Sequence, residues 1–354
     1  MKDWKRVLLT PNHCLVDAVA ILEREAVTGI VVVVGESGEL LGTITDGDIR
    51  RALISRKEMS SPLKSFMNVD PVVALVGSDS AEIRALCEKG NVTTLPILDQ
   101  GKKVVGVETA VHGNELNILE NRVVIMAGGF GRRLEPITND LPKPLVPVGG
   151  KPILERLFEQ LVDLGFRNFY LATHYKAEMI EEYFGDGSRW GARIEYLKEI
   201  SPLGTAGSLG SLPSDLPDLP LIIMNCDLLT KANFRQLIDF HMAEKAVATV
   251  CVREYDIQVP YGVVDIDGYK LRSIVEKPIN KFFVNAGIYV IENNLLSLLE
   301  KNISADMPEL LNMCLKESMH VAVFPIHEYW LDIGAVTELT VARQEVEKNS
   351  RDWN

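Results

Sequence analysis

Cysteine is scarce and poorly spaced for bridging. The five thiols, at 14, 87, 226, 251 and 314, are odd in number and include no C-x-x-C pair. That excludes a disulfide framework and predicts free thiols in a reducing compartment. Long apolar runs are missing too. The longest uninterrupted one lies around Ile30 to Val34, far short of the roughly 20 residues that a spanning helix needs. Met1 to Leu9 is too charged, and its apolar run too short, for a signal peptide. Basic tracts are also absent: 37 Lys and Arg stand against 49 Asp and Glu, a net charge of −12. Nucleic-acid affinity rests on neutralising phosphates. Neither a nucleic-acid nor a membrane partner is therefore expected, and the protein reads as cytoplasmic. Local backbone amides and a few cations can still hold a nucleotide.

Two nucleotide signatures are missing as well. There is no G-x-G-x-x-G with an acidic residue about 20 positions on, and no Gly-Lys-Ser/Thr of a P-loop. The first absence weighs against a nicotinamide-dependent oxidoreductase, although GGxG turns do occur in such enzymes.

What is present begins with size and a repeat. Apolar residues at 47% supply a sizeable core for 354 residues, and a prior of about 150 residues per domain suggests two domains. Residues 1–120 contain an approximate duplication. A helical stretch at Leu15 to Glu25 precedes a strand at Gly29 to Val34, a turn at Gly35 to Gly38, and a strand at Leu40 to Thr45. Asp46-Gly-Asp48 then opens a helix. The second copy runs from a helix at Asp79 to Gly90 through a strand at Thr94 to Leu98 and a turn at Asp99 to Gly101 to a strand at Lys103 to Val107. Each unit is helix, strand, turn, strand, helix, too small to bury a core alone. Asp46 and Asp48 suit capping of the helix they open, a role compatible with ligand binding.

From Val123 the pattern alternates between strand and helix. Strands are expected near 123–127, 168–174, 193–198, 220–226 and 247–253, and helices near 151–164, 176–184 and 231–244. Apolar residues at 153, 154, 157, 158, 161 and 162 line one side of the first of these helices. Such alternation predicts an α/β fold with a doubly wound, Rossmann-like mixed sheet whose ligands sit at the carboxyl ends of the strands. Residues 261–291 read as β-rich, with Asp267-Gly268 as a hairpin turn, and 336–348 as a closing helix.

The densest chemical signal is Met126 to Gly150. Glycines 128, 129 and 131 follow an apolar strand, and Arg132, Arg133 and the proline-flanked Lys143 follow them. Glycines allow a tight turn and close backbone approach, and fixed cations suit a polyphosphate whose charge grows as pyrophosphate leaves. Taken singly, the arginines read as a solvated surface and Pro142-Lys143-Pro144 as a stiff loop. Two carboxylates follow apolar stretches, Asp227 after Leu221 to Cys226 and Asp332 after Trp330-Leu331. Either alone reads more readily as a cap or turn residue, but together they offer hard oxygen ligands for Mg²⁺. Pro202 to Gly207 is a small-residue loop that can lie against a base. Glu276-Lys277 offers a carboxylate and a cation, and Asn285-Ala286-Gly287 an amide for hydroxyl groups.

Two resemblances gather these residues. Gly42-Thr-Ile-Thr45-Asp46-Gly-Asp48-Ile49, with Ser65-Phe-Met67, resembles a tandem pair of cystathionine-β-synthase (CBS) domains covering about residues 7–118, so the N-terminal domain is set at 1–120. The resemblance implies a regulatory or dimerising module in which Thr45 and Asp48 contact the ribose of a bound regulatory nucleotide. The second unit, Gly106-Val-Glu108-Thr109-Ala110-Val111, has no Asp at the matching place, so one complete site or none is expected. Residues 122–348, within a domain set at 121–354, resemble the sugar-1-phosphate nucleotidyltransferases. The carriers are Ala127 to Leu134, Pro142-Lys143-Pro144, Leu203 to Gly207, Asn225-Cys226-Asp227, Glu276-Lys277-Pro278, Asn285 to Gly287, and Asp332.

That second resemblance implies an enzyme joining a nucleoside triphosphate to a sugar 1-phosphate with Mg²⁺. Arg133 and Lys143 match its catalytic residues, and Asp227 and Asp332 its metal ligands. Ala127, Gly128, Gly129, Gly131, Arg132, Gly204, Thr205 and Gly207 match the nucleotide side; Gly262, Glu276, Lys277 and Asn285 match the sugar-phosphate side. Arg132 departs from the small residue usual before the catalytic arginine. The order of a CBS pair followed by this domain resembles guanylyltransferases of the legionaminic acid route, which implies GTP and glucosamine 1-phosphate in surface-glycan biosynthesis, and a homo-oligomer. Mannose 1-phosphate, or dTTP, UTP or CTP, are the alternatives within the class. A nucleotide-sensing subunit without turnover is the alternative outside it.

Overall fold

The computed structural model describes residues 3–25, 28–90, 92–110, 118–349 and Trp353. The chain divides into two compact units, Met1–Glu115 and Leu116–Asn354.

The first unit contains β1 (Leu8–Leu9), α1 (Leu15–Arg24), β2 (Ile30–Val34), β3 (Leu40–Thr45), α2 (Asp46–Ile54), β4 (Ala74–Leu75), α3 (Ser80–Gly90), β5 (Thr94–Leu98) and β6 (Val104–Thr109). These form two three-stranded sheets, β1-β2-β3 and β4-β5-β6. The duplication extends to register. In each sheet the middle strand pairs in parallel with the strand before it and antiparallel with the strand after it. Each hairpin also shifts register at its last step, between Val33 and Val34 and between Ile97 and Leu98. The two turns clasp each other: Leu40 N–H donates to Lys102 C=O at 3.1 Å, and Val104 N–H to Gly38 C=O at 3.0 Å. Leu98, Val104 and Val107 of the second copy share one core with Val31 to Val33, Ile44 and Ile49 of the first. The helix expected to close the second copy falls on residues 111–117, outside the described residues, as does Val111.

The second unit contains β7 (Leu119–Met126), β8 (Pro147–Val148), β9 (Lys151–Pro152), α4 (Ile153–Asp163), β10 (Phe166–Thr173), α5 (Ala177–Phe184), β11 (Arg193–Lys198), β12 (Leu221–Asn225), β13 (Leu228–Thr230), α6 (Phe234–Glu244), β14 (Ala248–Gln258), β15 (Gly262–Asp267), β16 (Lys270–Glu276), β17 (Ile279–Ile291), α7 (Met307–Lys316), β18 (Val321–Pro325), β19 (Trp330–Asp332) and α8 (Val336–Lys348). Seven strands form the main sheet in the order β11-β10-β7-β12-β17-β14-β18. Its pairs are parallel except those of β17, which runs against both β12 and β14.

Local sequence explains this sheet. The run at 123–125 is continuously apolar because both faces are covered. Val123 and Ile125 pack with Leu157 and Phe158 of α4 on one side, while Val124 packs with Leu310 of α7 on the other. The stripe on α4 buries Ile153, Leu154, Leu157, Phe158 and Leu161. Phe158 is fully buried, so its loss to Ala costs about 3–5 kcal/mol. β7 pairs with β10 on one side and β12 on the other. It is therefore the point where strand order reverses, and the crevice beyond its carboxyl end is where an open α/β sheet binds ligands.

One element leaves the sheet. β14 and β17 stay paired from Ala248↔Ile291 out to Gln258↔Ile279, and β15 with β16 forms a hairpin beyond that ladder. Every residue from 261 to 277 is exposed.

Candidate active site

The carboxyl ends of β7 and β12 are aligned by register, Met126 beside Asn225. Beyond them lies a cleft of about 380 Å³ lined by the glycine-rich loop, Arg132, Arg133, Lys143, Pro202, Gly204, Thr205 and Asp227, with Glu199, Asn225 and Gly334. The loop's shape follows from its glycines. Gly131 sits at φ +67°, a region that favours glycine, and a Cβ there would lie 2.9 Å from Thr138 and 3.1 Å from Lys143. Thr138 ties the loop down by donating from Oγ1 to Gly131 C=O at 2.9 Å. A Cβ on Gly129 would meet no atom within 4 Å, so that stretch of backbone faces free space.

The charges converge as follows. Lys143 is 8% exposed and donates from Nζ to Asp227 Oδ2 across 84 residues of sequence. The short pairing of β13 with β19 brings Asp332 to Asp227: Leu228 faces Asp332, and Ile333 N–H donates to Asp227 C=O at 2.9 Å. Burial and the Asp227 charge push the Asp332 carboxyl above the ordinary carboxylate range, against the opposing pull of Lys143 and Arg133. Asp227 Oδ1 and Asp332 Oδ1 are both buried without a hydrogen-bond partner. A buried carboxylate oxygen with no donor is costly. Two of them on neighbouring carboxyls fit a hard divalent cation, which takes oxygen ligands and needs few from the protein.

The arginines divide between the walls. A Cβ on Gly334 would lie 3.2 Å from Arg133 Nη1, so the guanidinium rests against that glycine. Arg132 lies over the Phe130 ring, 5.1 Å from its centroid. The cation-π contact occupies the side chain whose purpose the sequence leaves open. Phe130 in turn meets His174 edge-on at 5.6 Å.

Other expected residues are placed differently. Ala127 does not line the cleft. It is buried, with its N–H donating to Ala172 C=O at 2.8 Å. Gly207 also lies outside the lining and packs against the Ile303 carbonyl, which a Cβ would approach to 2.5 Å. Thr205 lines the cleft, but its Oγ1 donates to Asp306 Oδ1 at 3.0 Å and accepts from Met307 N–H at 2.9 Å, fixing the start of α7. Gly262 and Glu276 face each other across β15 and β16, with Lys277 next in the chain. All three are on the exposed hairpin and none lines the cleft. Lys277 is at φ +46°, a strained position for a non-glycine residue. Asn285 stands at the hairpin's base, donating to Tyr289 Oη at 2.7 Å and accepting from Gly287 N–H at 2.9 Å.

In the first unit, Thr45 and Asp48 form a capping box. Asp48 Oδ2 accepts from the Thr45 N–H and Oγ1, each at 2.8 Å, and Oδ1 accepts from Arg51 at 2.6 Å. The capping role expected of Asp48 is thus realised. Asp46 is not the cap: Thr45 is the N-cap, and Asp46, the first helical residue, accepts from Arg50 Nε at 2.6 Å.

Glu199 is a cleft residue that sequence reasoning missed. It lies just beyond β11, its Oε2 accepts from Leu203 N–H at 3.2 Å, and burial pushes its carboxyl up. The rule that singled out Asp227, a carboxylate at the end of a strand, applies equally to it.

Comparison with known proteins agrees with this geometry. The family described as nucleotidyl transferase matches residues 122–349, and the CBS domain matches residues 9–55, the first copy of the duplication. A mannose-1-phosphate guanylyltransferase catalytic subunit beta of Drosophila pseudoobscura pseudoobscura is 35% identical over 223 residues, 60% of this chain and 59% of that protein. The mannose-1-phosphate guanylyltransferase of Mycobacterium tuberculosis is 31% identical over 218 residues, 60% of each chain. The matched segment thus spans about three fifths of these relatives' length. Among solved structures, HddC from Yersinia pseudotuberculosis is 28% identical with a TM-score of 0.51, covering 64% of this chain and 99% of its own. With the matched residues spanning the sheet, the glycine-rich loop and both carboxylates, the chain belongs to the nucleotidyl transferase family.

Proposed function

We propose that the chain transfers a nucleoside monophosphate from a nucleoside triphosphate to a sugar 1-phosphate, releasing pyrophosphate. One observation carries this reading: Lys143, Arg133 and Asp227 line one cleft, with Asp332 against Asp227, beneath a glycine-rich loop whose backbone faces free space. A phosphate monoester oxygen is already a nucleophile and attacks the α-phosphorus in line, so no general base is required. The residues bind and orient the triphosphate and stabilise the charge that grows on the leaving pyrophosphate. Asp227 and Asp332 would hold a divalent cation, which we take to be Mg²⁺ and which would neutralise phosphate charge. Arg133 and Lys143 are the catalytic cations. Gly128, Gly129, Gly131, Arg132, Gly204 and Thr205 form the nucleotide wall, and Glu276, Lys277 and Asn285 serve the sugar phosphate.

GTP is the proposed triphosphate. The names of the relatives support it, as does the HddC structure described as complexed with GMP-PN. Glucosamine 1-phosphate is the sugar we infer from the order of domains, and mannose 1-phosphate is the second reading, favoured by those same names. The first unit, residues 1–120 by our reading a CBS pair, would bind a regulatory nucleotide. Pyrophosphate release measured over GTP, dTTP, UTP and CTP against both sugar phosphates tests the proposal. The expected result is at least tenfold preference for GTP with one sugar phosphate, and no release with any pair refutes enzymatic turnover.

A further inference from the structure

The hairpin arm carries apolar surface that the fold of the second unit leaves uncovered. Of the large apolar side chains exposed among the described residues, thirteen fall between Tyr255 and Phe283, including Tyr261 at 74% and Ile266 at 63%. Adjacent residues such as Val263 and Val264 are both exposed and point to opposite faces of a strand, so neither face of the ribbon is covered. A two-stranded ribbon is marginal in water without packing, and exposed apolar patches of this size mark an interaction surface. The arm's apolar side chains offer on the order of 1,000 Å².

The arm rises at the edge where the cleft opens. β14 runs parallel to β18 and antiparallel to β17, which opposes β12. Its outer half therefore continues past the carboxyl ends of the parallel strands. The ladder holds register from Val252↔Asn285 to Gln258↔Ile279, with its one shift below, between Val250 and Val252. That makes a stiff ribbon about 20 Å long before the hairpin begins. Meanwhile Phe130, which lines the cleft, is 38% exposed, and Ile200, next in the chain to the lining residue Glu199, is 92% exposed, and no arm residue lines the cleft. Each chain thus carries an uncovered arm bearing Glu276 and Lys277, and an uncovered mouth lacking them.

We infer that the arm is covered by a second copy of this chain: two chains exchange arms about a two-fold axis, and each delivers Gly262, Glu276 and Lys277 to the other's cleft. Arm and mouth on one chain meet mouth and arm on the other, the self-complementary arrangement that a closed dimer requires. Two exchanged arms reach the roughly 1,200–2,000 Å² of a stable interface. The inference rests on the nucleotidyltransferase reading for the role of the cleft.

Two measurements test it. Asp227→Asn and Lys277→Ala chains, each nearly inactive alone, are coexpressed with different tags and purified through both. Exchange makes one of the two sites in each mixed dimer intact, so the doubly tagged dimers regain about half of wild-type pyrophosphate release. Doubly tagged dimers no more active than either parent would overturn the exchange, as would a monomeric wild-type chain by sedimentation. The second measurement is independent of catalysis. Benzoylphenylalanine at Tyr261 is irradiated in the full chain and should give a covalent dimer with the adduct near Phe130 or Ile200. Intrachain adducts alone refute the proposal. A wild-type chain inactive with every triphosphate, yet cross-linking between copies at the cleft mouth, would sink the enzymatic reading and leave the arm exchange standing.

Discussion

Asp227→Asn separates the metal-site reading from a structural one, because the substitution keeps shape while removing one charge. The carboxylate has two neighbours with opposite effects: it accepts from Lys143 Nζ, and its charge holds up the Asp332 carboxyl. Unlike charges in contact near a protein surface attract by about 4 kcal/mol, but desolvation offsets much of that. Asn retains an oxygen for Lys143 and relieves the repulsion on Asp332, so the net loss of stability is about 1–2 kcal/mol. For a unit of this size that lowers Tm by a few degrees. Turnover behaves differently. If Asp227 Oδ1, buried without a partner, is a metal ligand, removing its charge costs about 4 kcal/mol of transition-state stabilisation, a fall in kcat on the order of 10³. Adding Asp332→Asn should cost little more in rate, because both groups serve one ion and act as a unit. Thermal unfolding gives the stability term, and pyrophosphate release across a range of Mg²⁺ gives the rate term. A single variant within about tenfold of wild type at millimolar Mg²⁺, or a double variant whose losses simply add, would refute the reasoning.

Three further predictions follow from separate parts of the chain. Gly131→Ala forces a side chain into a positive-φ position with Thr138 2.9 Å away; it should destabilise by about 1–2 kcal/mol and lower kcat/KM at least tenfold, read by urea unfolding and steady-state kinetics. Asp48→Ala breaks the capping box on α2 and should cost the first unit about 1–2 kcal/mol, measured by hydrogen exchange of α2; unchanged protection there would show the cap to be dispensable. His241 is fully buried between Thr249 and Glu292, and burial holds its pKa below the ordinary value. Below about pH 6.5 the unfolded chain therefore takes up a proton that the folded chain refuses, so stability falls as pH falls, by at most about 1.4 kcal/mol per pH unit from this group. His241→Gln should flatten that slope between pH 7 and pH 5 in urea unfolding, and an unaltered slope would count against it.

Much of the fold is legible because its signals are local. The apolar run before Met126, the stripe that becomes α4, the Asp267-Gly268 turn between β15 and β16, and the helix at 336–348 each depend on residues within one or two turns of each other. Thr45 and Asp48 are similarly readable, being three residues apart. Legibility fails where function depends on residues distant in sequence. Ala127 belongs to the family's motif yet is buried behind the loop, because strand alternation turns it toward the core. Glu199 carries the same strand-end signal as Asp227, but only the fold shows that the end of β11 borders the cleft.

The sequence by itself determined the element order, the glycine-rich turn after β7 and the stiffness around Lys143, since backbone sterics and turn chemistry act over a few residues. It also placed Asp227 at a strand end, where a parallel sheet exposes its ligand edge. Only the tertiary structure decided that Asp227 meets Asp332 through β13 and β19, and that Lys143 pairs with Asp227 across 84 residues. It also decided that Glu276 and Lys277 stand on an arm outside the cleft. Those relations are set by strand register and by which apolar faces are buried together, and the physics of burial does not depend on how far apart two residues lie along the chain.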